Sequence, residues 1–321
     1  MTEFEIHQLI KKGAVAMKMT LTGHYRAFVG RASAVLAAIF LSHAVNLGHA
    51  AGIEKVRLEN GVELAVQKTG NGPIPVVLVH GYSLSLMTWD KVVPLFPADK
   101  YTIYAYDLRG FGDSSKPADG FNYKQHAEDL HELLKSLKLT RVVIIGHSIG
   151  GQIAQEFVIR HPSEVIALVT SGSLARSLPS AGYSDAIRAR VESYGTPEQN
   201  KKVLEAAMPR YFDQRNVSSE DIRRFMAVAM KSSTAALREQ LVDIFSAPAL
   251  SLSQFRDIRS PTLVISSSTD PIGTFSQAVA LTDAIPGSEL AVVERAGHTP
   301  MWERPDAWMK RVLPFLERNP K

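Results

Sequence analysis

From residue 54 onward the chain alternates short apolar runs with longer stretches that repeat at helical spacing. The segment "EKVRLENGVELAVQK" (54–68) alternates apolar and polar positions on either side of Asn60-Gly61, which predicts a β-hairpin. "IPVVLVHG" (74–81) and "YTIYAYD" (101–107) are continuous apolar runs of strand length, and "YKQHAEDLHELLKSL" (123–137) has the apolar spacing of a helix. A β-branched run follows at Val142-Val143-Ile144-Ile145, and then Ile149, Ile153 and Phe157 recur every four residues, as on one face of a helix. "EVIALVTSGS" (164–173), "PTLVISSS" (261–268) and "SELAVVE" (288–294) read as further strands. "TFSQAVALTDAI" (274–285) and the segment from Pro305 read as helices. Buried strands alternating with helices predict an α/β fold with a mostly parallel sheet covered on both faces.

The alternation stops between residues 174 and 257. This block holds only helical patterns, "SDAIRARVESYG", "TPEQNKKVLEAAMPRYF" and "SSEDIRRFMAVAMKSSTAALREQLVDIF", with Ser and Asp near their starts as N-caps. A helical block interrupting such a core belongs at the carboxyl ends of the strands, over the crevice where these sheets bind ligands, and reads as a lid. The α/β core is then 51–173 with 258–321, and the cap is 174–257.

Composition narrows the chemistry. The chain has 321 residues, 45% of them hydrophobic, enough for a large core. It has no cysteine, which excludes disulfides, thiolate-bound zinc and a thiol nucleophile. The formal charge of +4 is concentrated in residues 1–50, where Lys11, Lys12, Lys18, Arg26 and Arg31 stand against Glu3 and Glu5. The remainder is nearly neutral, and nothing marks a nucleic-acid groove.

Arg26 and Arg31 precede the uncharged run "ASAVLAAIFLSHAVNL" (32–47), and Gly48 and Ala50 then occupy the −3 and −1 positions of a small-residue cleavage site. Residues 1–50 therefore read as a signal peptide or leader cleaved near Ala50, with export to the periplasm or medium by the general secretory route. The alternative is an uncleaved membrane anchor, although the run, broken by His43 and Asn46, is short against the roughly 20 residues of a span.

Gly146-His147-Ser148-Ile149-Gly150 is a G-x-S-x-G string. As a string it is weak; its force comes from lying between a buried strand and a helix with no other residues for the turn. Such a turn strains the serine backbone, needs small neighbours, and sets the hydroxyl at a helix N-terminus, where the Ile149 N–H favours developing negative charge. Ser148 is the candidate nucleophile.

A hydroxyl needs a base. His147 adjoins the nucleophile and points away from it. His126 and His131 lie about 140° apart around a helix and make a poor metal pair. His161 precedes Pro162 and suits a cap, and His80 sits at a strand end where it orients the loop by hydrogen bonding. His298, in "ERAGHTP" just after the last strand, remains as the base. Asp270, in "SSSTDP" just past a strand end, is the orienting acid, and the loop "TSGSLARS" after the preceding strand offers no rival carboxylate. The oxyanion donors are the backbone N–H groups of Ile149 and Tyr82, with Ser83 as the alternative to Tyr82. That loop has a single glycine, Gly81, which implies a tight acyl site. "DLRGFGDSSKP" (107–117) could pair Asp107 with Arg109, but without a G-K-[ST] it reads as a structural turn.

In order and spacing, "VLVHGYSLSLMTW", "YDLRGFGDSSKP", "GHSIGG", "SSSTDP" and "AGHTPMWERPD" resemble the α/β-hydrolase superfamily from about Val56 to Phe315. The resemblance implies an eight-stranded sheet with the helical cap inserted between strands 6 and 7, and it carries the triad roles to Ser148, Asp270 and His298. A serine where epoxide hydrolases and haloalkane dehalogenases keep an aspartate argues against those branches. The implied chemistry is acyl transfer through an acyl-enzyme, with no metal and no organic cofactor. The partner is a small ester-like substrate; the membrane enters only through the N-terminal segment.

Hydrolysis of carboxylic esters, lactones included, is the first reading. The others are carbon–carbon bond hydrolysis of a ring-cleavage product, cofactor-free perhydrolysis or haloperoxidase-like activity, and a non-catalytic ligand receptor. For a substrate carboxylate the cap offers Arg176, Arg188, Arg190, Arg210, Arg223 and Arg224. If the leader reading holds, mass spectrometry of an exported fraction finds a chain beginning near Ala51. Full-length protein confined to the cytoplasm contradicts it.

Overall fold

Eight strands hydrogen-bond into one sheet in a computed structural model that describes residues 52–176, 182 and 184–319. The expected leader, residues 1–50, lies outside the described residues, among which no helix is long and apolar enough to cross a membrane. Strands β1 (Glu54–Arg57) and β2 (Glu63–Gly70) form the antiparallel hairpin around Asn60-Gly61. β2 pairs antiparallel with β4 (Tyr101–Tyr106). All later pairings are parallel, through β3 (Ile74–Val79), β5 (Val142–His147), β6 (Val165–Ser171), β7 (Thr262–Ser267) and β8 (Glu289–Val293). The sheet order is β1-β2-β4-β3-β5-β6-β7-β8. The chain leaves β3 toward β4 on one side and returns to β5 on the other, so a crevice opens beyond the carboxyl ends of β3 and β5.

Burial follows the apolar pattern. All six residues of β5 are buried, with Val142 and Ile144 packed into one core cluster and Val143 and Ile145 into the other. Alternate side chains thus serve opposite faces, and each burial contributes about 1.5–3 kcal/mol. Helix α1 (Tyr123–Ser136) is amphipathic as expected. Helix α2 (Ile149–Arg160) differs, since Ile149–Val158 are buried all round rather than along one stripe. The cause is the chain leaving β6, which covers the polar side of α2: Gln155 donates to the Leu174 carbonyl (3.0 Å) and Glu156 pairs with Arg176 (3.1 Å).

Between β6 and β7 the described residues form α3 (Asp185–Glu192), α4 (Pro197–Ala207), α5 (Ser219–Ala229), α6 (Thr234–Ser246) and α7 (Leu252–Arg256). Each starts after a Ser or Thr whose side chain accepts from the first-turn backbone, a device contributing about 1 kcal/mol apiece. The stretch 218–246 is two helices, because Ser233 caps α6 and its N–H donates to the Gly110 carbonyl (2.8 Å), pinning the break to the 107–117 loop. α8 (Phe275–Ala284), α9 (Pro300–Glu303) and α10 (Pro305–Arg318) complete the chain.

The 107–117 loop is a structural turn, and the Asp107–Arg109 pair considered from sequence is not formed. Arg109 makes a buried bidentate pair with Asp129 on α1. The Asp107 carboxylate accepts the N–H groups of Leu86 and Asp113 (2.7 Å each), and burial pushes it up to about 6.

Three wholly buried histidines tie distant elements together. His80 Nε2 accepts from the Leu108 N–H (2.9 Å), which places the proton on Nδ1, 2.8 Å from the Gly81 carbonyl. His126 Nε2 lies 2.9 Å from Gln240 Oε1 on α6, and His147 Nε2 lies 2.7 Å from the His298 carbonyl. Burial pushes His80 and His147 down to about 3 and His126 to about 4, so all three are neutral in the fold. An unfolded chain protonates each near 6.5, so stability is whole above that pH and falls as the pH drops toward the folded values. The expected loss at pH 5 is about 2 kcal/mol per histidine. Melting curves at pH 7 and pH 5 should show a drop on the order of 10 °C; a flat or rising Tm contradicts it.

Candidate active site

Ser148 is the whole turn between β5 and α2, at φ 53° and ψ −120°. A non-glycine residue with positive φ is strained by roughly 1–3 kcal/mol and persists only where its surroundings over-determine it. Here they do. The Ser148 N–H donates to the Ser171 carbonyl (3.0 Å) on β6, and its own carbonyl accepts from Gly151 (3.0 Å) and Gln152 (3.2 Å) on α2. The flanking glycines are steric necessities: a Cβ on Gly146 would lie 2.4 Å from the Gly150 carbonyl oxygen, and one on Gly150 would lie 2.2 Å from that of Val79. Strand and helix touch because nothing projects between them.

The structure brings the three side chains selected from sequence into one line. His298, on the loop after β8, has Nε2 2.9 Å from Ser148 Oγ. Its Nδ1 faces the Asp270 carboxylate, 2.9 Å from Oδ2 and 3.1 Å from Oδ1. An ionised carboxylate only accepts, so the proton sits on Nδ1 and Nε2 is left to receive the serine proton. Asp270 follows β7, and its Oδ1 also accepts the N–H groups of Ile272 (2.7 Å) and Gly273 (2.9 Å). Burial acts most strongly on Asp270 and raises it. The His298 charge and hydrogen bond with the two backbone donors together outweigh that, leaving it below the ordinary carboxylate range. Such a line can move a proton off a hydroxyl and hold the resulting cation.

Two residues that the sequence reading did not select fix the loop carrying His298. Buried Glu303, on α9, accepts from the Gly297 N–H (2.8 Å) and the Thr299 N–H and hydroxyl (3.1 Å each). It also accepts from the Asp213 N–H (2.9 Å), binding the segment after α4 to the same loop. His147 had been set aside because it adjoins the nucleophile, yet it binds the His298 carbonyl, with ring centroids 4.8 Å apart. Its partner is a backbone oxygen 151 positions away, which no local pattern reveals.

Ile149 opens α2, so its N–H has no acceptor within the helix. Tyr82 and Ser83 lie on the loop after β3, the strand neighbouring β5. Ser83 is buried with φ 56°, and the loop closes with the Leu84 N–H on the Gly81 carbonyl (3.2 Å). Tyr82, Ser148, Ile149 and His298 line one cavity of about 130 Å³, close to the size that takes a benzene-like ring. Its far wall comes from the helical insertion and includes Leu241, Ile244 and Phe245, and a second space of about 290 Å³ continues past Phe245 and Ile272.

The arginines now separate. Arg176 is taken up by Glu156 and the Tyr123 ring, Arg223 by Glu220 and Arg224 by Asp90, while Arg188 lies 3.8 Å from Asp185. Arg190 and Arg210 line the cavity, and no carboxylate pairs with either among the described residues. The described His/Asp/Glu group closest to a metal set is His131, His161 and Glu164. It lies at the amino ends of the strands, away from Ser148. Its imidazoles stack in nearly parallel planes (4.3 Å, 10°), so their lone pairs do not converge on one ion.

A family described as the alpha/beta hydrolase fold matches residues 74–305. A 2-hydroxy-6-oxo-2,4-heptadienoate hydrolase of Pseudomonas putida is 28% identical over 278 residues, 83% of this chain and 97% of that one. Among solved structures, a thermophilic esterase from Thermogutta terrifontis superposes with TM-score 0.73 at 25% identity, over 84% of this chain and 99% of that one. A bromoperoxidase from Bacillus anthracis gives 0.75 at 24%, over 83% and 100%. With the sheet order, the strand-to-helix turn and this match covering most of the chain, the protein belongs to the α/β-hydrolase family and is a hydrolytic enzyme.

Proposed function

We propose that the protein is a serine hydrolase acting on a small to medium carboxylic ester or lactone. The observation that carries this reading is the 2.9 Å approach of Ser148 Oγ to His298 Nε2, with His298 Nδ1 on Asp270, at the wall of a cavity. His298 takes the serine proton as Oγ attacks the carbonyl carbon, and Asp270 holds the tautomer and stabilises the imidazolium. The N–H groups of Tyr82 and Ile149 receive the oxyanion. The protonated His298 gives its proton to the leaving alkoxide, the acyl group stays on Ser148, and water activated by the same imidazole releases the acid.

A second reading is supported by Arg190 and Arg210, two guanidinium groups without carboxylate partners among the described residues, in the wall of that cavity. Groups of this kind suit a substrate with its own carboxylate, as in carbon–carbon hydrolysis of a ring-cleavage product, and the Pseudomonas putida relative carries the name of such an enzyme.

Nitrophenyl esters of graded acyl length, turned over by wild type and Ser148→Ala, test the first reading. Wild type should show an optimum at a short acyl chain and Ser148→Ala a loss of at least about 10⁴-fold in kcat. Activity surviving in the alanine variant removes Ser148 as nucleophile. The charge of the substrate is tested with Arg190→Gln and Arg210→Gln. The preference in kcat/KM for a dicarboxylic hemiester over its neutral diester should fall about tenfold or more, the worth of one charged hydrogen bond. An unchanged preference rejects the anionic substrate.

A further inference from the structure

The oxyanion loop is held from outside the α/β core. The Tyr82 hydroxyl donates to the Leu237 carbonyl (2.8 Å) on α6 and lies 3.0 Å from the Tyr194 hydroxyl, just past α3. With its only proton on that carbonyl, Tyr82 accepts from Tyr194. The Arg190 guanidinium, on the last turn of α3, acts on Tyr194 electrostatically, and the Tyr194 hydroxyl, Tyr82 hydroxyl and Leu237 carbonyl align in one donor direction. The next residue, Ser83, has its Oγ 3.3 Å from the Tyr211 hydroxyl, in the 3₁₀ turn after α4. All of these hydroxyls are buried. A loop with a left-handed serine, φ 56°, does not hold its shape by intrinsic preference, so these contacts decide where the Tyr82 N–H points.

The same turn is referenced to the base. The Tyr211 carbonyl lies 3.2 Å from the hydroxyl of Thr299, the residue after His298, which shares its one proton between that carbonyl and Glu303, and the Tyr211 and His298 rings lie 6.0 Å apart. Two residues on, the Asp213 N–H shares Glu303 with Gly297 and Thr299. Tyr211 therefore touches the oxyanion loop through its hydroxyl and the base loop through its carbonyl.

We infer that Tyr194 and Tyr211 are positioning residues: the helical insertion, through their hydroxyls, sets the oxyanion donor at Tyr82 against the base at His298. This rests on the reading of Ser148 as nucleophile and of the Tyr82 N–H as oxyanion donor. It makes the insertion part of the catalytic geometry as well as the wall of the substrate cavity. A displaced donor is costly because an oxyanion contact acts in the transition state and hardly in the ground state, so the effect falls on kcat rather than on KM.

The test uses Tyr194→Phe, Tyr211→Phe and the double variant in the full chain, which keep the rings and remove only the hydroxyls. Tyr106→Phe is the control, because that hydroxyl is buried without a hydrogen-bond partner. Two rates are read: turnover of the best nitrophenyl ester, and labelling of Ser148 by a nitrophenyl phosphonate, whose P–O oxygen occupies the oxyanion position without any need for the right substrate. Each single variant should lose about 5- to 50-fold in kcat and in labelling rate, with KM within about twofold and the control at the wild-type rate. Labelling as fast as wild type in both variants, or a rise in KM alone, overturns the positioning role. If wild-type Ser148 is not labelled at all, the serine-hydrolase reading fails and this inference falls with it. Labelled wild type with equally labelled variants refutes the inference alone.

Discussion

A serine at φ 53° and ψ −120°, squeezed between a buried strand and a buried helix, exists only where the surrounding structure leaves it no other conformation. Here that structure is the centre of the sheet. β5 is buried on both faces, α2 is buried all round, and Gly146 and Gly150 let strand and helix approach to distances that any Cβ would forbid. The strain is therefore sustained by the same core burial that stabilises the domain. Its product is geometric: one hydroxyl raised out of the sheet beside a free helix N–H.

The other two members of the line come from loops, and loops need anchors. His298 is held on three sides, by Asp270 at Nδ1, by His147 at its carbonyl and by Glu303 at the backbone on either side of it. The electrostatics are arranged to match. Buried His147 and His80 are neutral, so they position without adding a cation beside His298, while Asp270 keeps its charge through His298 and two backbone donors despite burial.

The insertion between β6 and β7 reaches the same place from above. Its apolar side chains and two arginines without carboxylate partners among the described residues wall the cavity, and its tyrosines reach the loop after β3. One segment thus contacts both the substrate space and the backbone that would hold the oxyanion.

Much of this was legible in the chain. The strand and helix sequence followed from continuous apolar runs of strand length, the alternation around Asn60-Gly61 and the helical spacing of about 3.6, because burial on a sheet or helix face is a local property of spacing. Ser148, Asp270 and His298 could be selected because each sits where a strand ends, and the glycines around Ser148 encode their steric requirement directly. What the sequence left open depends on contacts between residues distant along the chain. Glu303 looked like one more charge in the final segment, His147 like a neighbour facing away, and Asp107 like a partner for Arg109. Six arginines in the insertion were equivalent until packing assigned Arg176 to Glu156 and turned Arg190 and Arg210 to the cavity. Periodicity fixes which face of a helix is buried, but the direction a polar side chain takes depends on which partner the folded chain brings within 3 Å. That information exists only once the loops and the insertion have docked onto the sheet.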